Sequence, residues 1–139
     1  MCIRDSAIEV TGLEEFRNRE LSQLSGGQRQ RVFIAMALAQ NTKILFLDEP
    51  TTYLDIRYQL DILRLVKKLN REYGITIVMV LHEINQAIHF SDEVIGLKDG
   101  KVLVQGDPKD VITTESISEL YDVHLNVADI DGQKFVLTV

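Results

Sequence analysis

A short apolar run that ends in two carboxylates constrains the fold of this chain more than any other feature. Residues 44–47 read Ile-Leu-Phe-Leu, and Asp48, Glu49 and Pro50 follow directly. A continuous apolar run bounded by turn residues is typical of a strand that is buried on both faces of a parallel sheet. Ligands of open α/β sheets lie at the carboxyl ends of such strands, and carboxylates that leave a core require a polar partner. We therefore expect a functional site at Asp48 and Glu49.

Composition is that of an ordinary globular domain and argues against several classes of protein. The 139 residues are 45% hydrophobic and 26% charged, and their formal net charge of −6 argues against nucleic acid as a partner. No apolar run reaches the roughly 18–20 residues of a transmembrane helix, and no secretory signal pattern occurs. Three histidines and one cysteine, Cys2, predict neither a disulfide framework nor a zinc site. These observations favour a reducing, cytosolic setting.

Hydrophobic periodicity predicts helices that alternate with strands, followed by short antiparallel strands. The predicted helices are a short one between Ala7 and Leu24, then 28–40, 56–73, 84–90, 108–112 and 115–121. The predicted strands are 43–48, 75–81, 93–97, 101–104, 123–130 and 133–139. Asp-Gly turns at 99–100 and 131–132 predict two hairpins. Strand–helix alternation implies an α/β fold with a parallel sheet and right-handed crossovers, but two central strands are few for a complete sheet.

A Gly pair opens the predicted helix 28–40. Glycine lets backbone N–H groups approach an anion, and the positive end of a helix dipole favours a phosphate there. Ser25, Gly26, Gly27 and Gln28 are therefore candidate phosphate-binding residues. The alternative interpretation is an ordinary Ser N-cap with glycines that permit tight packing, and these residues alone do not decide between the two.

The acidic pair and a histidine could share one sheet edge. Asp48 could hold a hard cation such as Mg²⁺, and Glu49 could orient or deprotonate a water molecule. The alternative is a solvated acidic strand end. His82 follows the apolar strand 75–81, so a parallel arrangement would bring it to the same edge, although a lone histidine is often structural. A hydrolase triad of Ser25, His82 and Asp48 is rejected because no Gly-x-Ser-x-Gly elbow occurs.

Taken together, these motifs resemble those of the ATP-binding cassette (ABC) ATPases. The stretch 24–31, LSGGQRQR, resembles the family signature, and ILFLDEP at 44–50 resembles its Walker B strand. TTYLD at 51–55 resembles the D-loop, and His82 stands at the switch-histidine position. The resemblance implies a P-loop NTPase-type domain, with helices on both faces of a parallel sheet core and a short antiparallel C-terminal extension.

A narrower resemblance is to the ATPase subunits of bacterial importers for iron–siderophore, haem and cobalamin-type chelates. It rests on AMALAQ at 35–40, DEPTTYLDI at 48–56, VLHEINQA at 80–87 and the tail from Gly96. Glu83 departs from this branch, which more often has Asp there. The ATPase subunit does not contact the transported ligand, so the sequence does not identify that ligand.

The resemblance implies a role for each candidate residue. Asp48 would hold Mg²⁺, Glu49 would polarise the attacking water, and His82 would contact the γ-phosphate of ATP. The four residues 25–28 would face ATP held by a second subunit in a head-to-tail homodimer. Asp55 would couple the two sites of that dimer.

The resemblance also implies partners and a location. The partners would be transmembrane permease subunits and, indirectly, a substrate-binding protein, at the cytoplasmic face of the inner membrane. The alternatives are a soluble ABC ATPase outside transport and a non-catalytic module that donates only its signature face to a partner's ATP.

The sequence departs from the family in one large respect. No Gly-x-x-x-x-Gly-Lys-[Ser/Thr] motif occurs, nor does the Gln loop that normally follows it. We therefore expect the C-terminal part of one ABC ATPase domain, which by itself does not hydrolyse ATP and exposes apolar strand surfaces. The expected divisions are a non-native or frayed 1–6, a helical-subdomain end at 7–40, a Walker B to H-loop core at 41–105 and an extension at 106–139.

Overall fold

The computed structural model of this chain describes residues 3–138, which fall into two compact units. The first unit ends at Leu81 and the second begins at His82. Within residues 3–138, no helix is both long enough and apolar enough to cross a lipid bilayer.

The first unit places a parallel pair of strands beside helices. Its helices are α1 (Ile3–Val10), α2 (Gly26–Leu38) and α3 (Ile56–Tyr73), with two 3₁₀ turns at Glu14–Phe16 and Leu21–Gln23. Its strands are β1 (Ile44–Asp48) and β2 (Thr76–Val80), which pair in parallel from Ile44 opposite Thr76 to Asp48 opposite Val80. Helix α3 connects the two strands, as parallel pairing requires. Its C-cap residue, Gly74, has a left-handed backbone conformation, which ends the helix. The α/β class and this parallel pair confirm the prediction.

Only one face of the parallel pair is covered by helices of the first unit. Leu45 is buried, and Leu47, Ile77 and Met79 on the same face are partly buried against one apolar cluster. That cluster also contains Ile34, Ile62, Leu65, Val66, Leu69 and Ile75. On the opposite face, Phe46 is 74% exposed. Ile44, Val78 and Val80 on this face are exposed as well. The predicted burial of residues 44–47 on both faces is therefore wrong, because helices α2 and α3 of this unit form a core with one face of the strands. The expected exposure of apolar strand surface is confirmed.

The second unit consists of hairpins and short helices. Its helices are α4 (Ile84–Phe90), α5 (Pro108–Val111) and α6 (Thr114–Tyr121). Its strands β3 (Val94–Lys98) and β4 (Lys101–Gly106) form one antiparallel pair, and β5 (Asn126–Ile130) and β6 (Gln133–Leu137) form another. A small core of Ile88, Ile112, Ile117 and Val136 lies among them. Both predicted hairpins and the predicted C-terminal antiparallel extension are confirmed.

The start of the chain differs from the expectation. Helix α1 begins at Ile3, and Asp5 on it forms an ion pair with Arg17 at 2.9 Å. Residues Ile3 to Ser6 thus belong to a helix, while Met1 and Cys2 lie outside the described residues. That residues 1–6 are non-native or frayed stays a prediction. The division of one family domain into 7–40, 41–105 and 106–139 stays a prediction.

Candidate functional site

The glycine pair lies in the first turn of α2, and Ser25 is the N-cap. The Gln28 N–H donates to Ser25 Oγ at 3.2 Å, and the Ser25 N–H donates to Gln28 Oε1 at 3.0 Å. This reciprocal pair is a capping box, which fixes where the helix begins. The N–H groups of Gly26 and Gly27 lie in the first turn, where no acceptor within the helix is available. Helix capping and anion binding are thus compatible here rather than alternatives.

Both glycines make close contacts with the segment that follows strand β1. A Cβ atom on Gly26 would lie 3.2 Å from Leu54 Cδ2, and one on Gly27 would lie 3.2 Å from Tyr58 Cδ1. Such distances are tighter than ordinary van der Waals contact, so a side chain at either position would require the Leu54 or Tyr58 side chain to move by a few tenths of an ångström. The structure therefore brings the stretch 24–28 against the stretch 51–58, a contact that the sequence alone did not indicate.

The two carboxylates end strand β1 in different backbone conformations. Asp48 is the last residue of the strand and is exposed. Glu49 follows with φ of 51°, in the left-handed region, and its N–H donates to the Val80 carbonyl at 3.1 Å. The Thr52 hydroxyl donates to Glu49 Oε2 at 3.4 Å, and the Thr52 N–H donates to the Glu49 carbonyl at 3.2 Å. A non-glycine residue in this region stores roughly 1–3 kcal/mol of strain, and such residues cluster at functional sites.

Asp55 occupies the N-cap position of α3, but its side chain makes no capping hydrogen bond. In this respect it differs from Ser25, whose hydroxyl caps α2. The Asp55 side chain is exposed, and its carbonyl accepts the first hydrogen bond of the helix from the Gln59 N–H at 2.9 Å. The carboxylate is therefore not needed for helix capping.

His82 is the first residue of the second unit and is exposed. It comes two residues after Val80, which pairs with Asp48 across the parallel strands. Its predicted approach to Asp48 and Glu49 stays a prediction. The next residue, Glu83, caps α4 by accepting from the N–H groups of Asn85 at 3.2 Å and Gln86 at 2.8 Å. Capping of the following helix accounts for an acidic residue after the histidine.

The protein ligands for a cation are few. Within residues 3–138, no group of three or more His, Cys, Asp or Glu side chains is arranged to hold a metal ion. Mg²⁺ commonly keeps several waters and takes one or two carboxylates together with phosphate oxygens. The single exposed carboxylate of Asp48 fits a magnesium ion that arrives with a phosphate ligand, and does not fit an all-protein metal cage.

Comparison with known proteins decides the family. The family model described as ABC transporter matches residues 3–52. The petrobactin import ATP-binding protein FpuC of Bacillus anthracis is 50% identical over 125 residues, which cover 90% of this chain and 46% of that protein. The ferric enterobactin transport ATP-binding protein FepC of Escherichia coli K12 is 46% identical over 123 residues, covering 88% and 45%. The chain belongs to the ABC transporter ATP-binding family.

Solved structures agree with this assignment. A metal-chelate type ABC transporter in an inward-facing conformation matches with a TM-score of 0.86 at 29% identity, covering 96% of this chain and 54% of that one. The ATP-binding cassette MJ0796, in a dimeric post-hydrolysis state with ADP and Pi, matches with a TM-score of 0.63 at 45% identity, covering 74% and 44%. The present ABC chain spans about half the length of the curated relatives it matches.

Proposed function

We propose that this chain is part of the ATP-hydrolysing subunit of a bacterial ABC importer for an iron–siderophore, haem or cobalamin-type chelate. One observation carries the proposal: the capped glycine turn of α2 packs on Leu54 and Tyr58, directly after the turn that contains Glu49. The stretches that resemble the signature, Walker B strand and D-loop thus lie in one compact unit. Three relatives are named for the import or transport of petrobactin, ferric enterobactin and iron(3+)-hydroxamate, and these names favour a chelate as cargo.

The two carboxylates would have separate tasks in hydrolysis. Asp48, exposed at the strand end, would hold Mg²⁺ that is bound to ATP. Such an ion neutralises charge that develops on the phosphates during transfer. Glu49 would orient the attacking water and accept its proton. Its hydrogen bonds with Val80 and Thr52 would keep the carboxylate at a fixed place. His82 would contact the γ-phosphate of ATP.

The remaining candidate residues would act on a second copy. The first-turn N–H groups at Gly26 and Gly27, together with Ser25 and Gln28, would bind the phosphates of ATP carried by the other subunit of a head-to-tail homodimer. Asp55, whose carboxylate is not used in capping, would couple the two sites. The subunit would lie at the cytoplasmic face of the inner membrane, attached to permease subunits that receive cargo from a substrate-binding protein. The 139-residue polypeptide itself, which contains no P-loop motif, would not hydrolyse ATP.

A hybrid protein tests this function. In it, the 125 aligned residues of Bacillus anthracis FpuC are replaced by those of this chain. We expect Mg²⁺-dependent ATP hydrolysis that Glu49→Gln reduces about 100-fold or more, because a general base is lost. Glu72→Gln, at an exposed position on α3, is the matched control and should keep the full rate. Hydrolysis that survives Glu49→Gln unchanged would contradict the assignment.

The coupling of ATP hydrolysis to transport is tested separately. In a Bacillus anthracis strain that lacks both FpuC and the related petrobactin import ATP-binding protein FpuD, the hybrid should restore petrobactin-dependent growth under iron limitation, and the Glu49→Gln hybrid should not. Restored growth without ATP hydrolysis would contradict the transport proposal.

A further inference from the structure

The C-terminal hairpin of β5 and β6 is held along one outer edge by side chains of helix α4. The Val136 N–H donates to Asn85 Oδ1 at 2.8 Å, and Asn85 Nδ2 donates to the Val136 carbonyl at 3.1 Å. One helical turn further along α4, His89 Nε2 lies 3.2 Å from the Lys134 carbonyl. The Asn85 side chain thus makes the pair of hydrogen bonds that a residue of a neighbouring antiparallel strand would make.

The opposite edge of the hairpin is held in the same way by helix α6. The Val127 N–H donates to Thr114 Oγ1 at 3.1 Å, and the Leu125 N–H donates to Ser118 Oγ at 3.0 Å. Residues four apart on a helix are separated by a rise of about 6 Å, and residues two apart on a strand by about 7 Å, so one helix can bond to alternate residues of a strand edge. Val127 lies directly opposite Val136 in the hairpin. One cross-strand pair is therefore tied on one side to α4 and on the other side to α6.

The tie to α4 lies close to the candidate histidine. Asn85 is in the first turn of α4, three residues after His82, and the N-cap residue Glu83 lies between them. Further along the same helix, Ile88 is buried in the core of the second unit. Because a short helix is internally rigid, the position of its first turn determines where the chain enters it. A displacement of that turn would therefore move the backbone of His82.

We propose that Asn85 is a positioning residue for ATP hydrolysis, which ties α4 to the C-terminal hairpin and thereby fixes the place where His82 meets the γ-phosphate. This inference rests on the proposed function, in which His82 makes that contact. A side-chain amide suits the task because it offers a donor and an acceptor side by side, and so satisfies both backbone groups of Val136. The hairpin supports the reaction site through this single residue pair.

The test compares the two edges of the hairpin in the hybrid protein, with this chain carried through residue 139 so that β6 is included. Asn85→Ala removes the tie to α4, and the control Thr114→Val removes a tie to α6 with little change in volume. We expect Asn85→Ala to lower kcat for ATP hydrolysis about tenfold or more and to leave KM within about threefold, because small displacements of a catalytic group slow the chemical step. Thr114→Val should keep kcat within about twofold. Both variants should lower the thermal midpoint, since each leaves a backbone N–H without its acceptor.

Two further variants separate positioning from folding. Asn85→Asp keeps the acceptor for the Val136 N–H and loses the donor to the Val136 carbonyl, so the hybrid should fold while kcat still falls about threefold or more. His82→Ala should lower kcat at least as far as Asn85→Ala does. Equal kcat values in the Asn85 and Thr114 variants, or a full rate in His82→Ala, would overturn the positioning role and leave ATP hydrolysis, which Glu49→Gln tests, intact. A hybrid that does not hydrolyse ATP at all would overturn both the positioning role and the proposed function.

Discussion

Strands β1 and β2 pair in parallel across an 18-residue helix, whereas β3–β4 and β5–β6 each pair through a two-residue Asp-Gly turn. The hairpins are fixed locally, because Asp99 and Gly100 have φ of 50° and 72° and form the mirror-image turn that suits twisted strands. The parallel pair depends instead on apolar burial against helices α2 and α3, whose side chains share a core with Leu45. Its two faces differ as a result, and the carboxylates that carry the proposed chemistry lie at its end.

The largest expected effect is the difference in unfolding free energy between substitutions on the two faces of strand β1. Leu45 is 5% exposed and Phe46 is 74% exposed, although they are neighbours in one apolar run. We expect Leu45→Ala to lower the free energy of unfolding by about 2–5 kcal/mol, because it leaves a cavity in the core. Phe46→Ala should change it by less than about 0.5 kcal/mol. Urea unfolding of the full chain at low protein concentration measures both, and equal losses would show that both faces are buried.

The exposed face of the parallel pair should also cause self-association. Ile44, Phe46, Val78 and Val80 expose apolar surface on two adjacent strands, which favours aggregation of the 139-residue chain. Phe46→Lys should weaken this association roughly tenfold, and light scattering over a concentration series measures it. Asn18→Lys adds the same charge at an exposed site elsewhere and is the control. Equal scattering by both variants would mean that another surface drives the association.

The hairpins should respond to backbone changes rather than to loss of burial. A Cβ atom on Gly100 would meet nothing within 4 Å, so Gly100→Ala changes only the backbone preference at φ of 72°. We expect a loss of about 1 kcal/mol in the free energy of unfolding. Faster amide hydrogen exchange in β3 and β4 should accompany it. Lys101→Ala, at the next position, is the control. A neutral Gly100→Ala would show that the turn does not determine the hairpin.

The smallest expected effect is on stability at alkaline pH, and it arises from ionisable side chains in the second unit. A hydrogen bond from the Lys98 ammonium to Asp122 raises the pKa of Lys98 above its usual value. The folded state therefore favours the charged form, and this stabilisation is complete below the usual lysine pKa and lost as the pH rises through the raised pKa. Burial, with Glu83 adding to it, also raises the pKa of Tyr121. The folded state therefore favours the neutral phenol, and this stabilisation is likewise lost as the pH rises through the raised pKa.

Thermal midpoints measured from pH 9 to 12 test the lysine contribution. Lys98→Met should flatten the decline with pH in comparison with Lys101→Met, whose lysine is exposed on β4. If the two variants follow the same curve, the ion pair of Lys98 with Asp122 makes no contribution to the alkaline transition.

Local signals explain which features the sequence could predict. The helix 56–73 was predicted at its observed bounds because its apolar stripe ends at Gly74, which has the required left-handed backbone. The Asp-Gly turns likewise specify their hairpins. The exposure of Phe46 could not be predicted, because an apolar run does not reveal which neighbours cover each face. The packing of Gly26 on Leu54 also has no sequence pattern of its own, nor do the exposure and left-handed backbone of Tyr53.

The central claim is that the glycine turn of one copy completes the carboxylate site of another, and mixing two inactive hybrids tests it most directly. One hybrid carries Ser25→Arg, which blocks the glycine turn, and the other carries Glu49→Gln, which removes the base. A mixed dimer has one site with Glu49 from the first copy and an intact glycine turn from the second. We predict that ATP hydrolysis in an equimolar mixture recovers to roughly a quarter of the unmodified rate, since half of the randomly formed dimers then have one of two sites intact. A mixture no more active than the separate variants would contradict the claim.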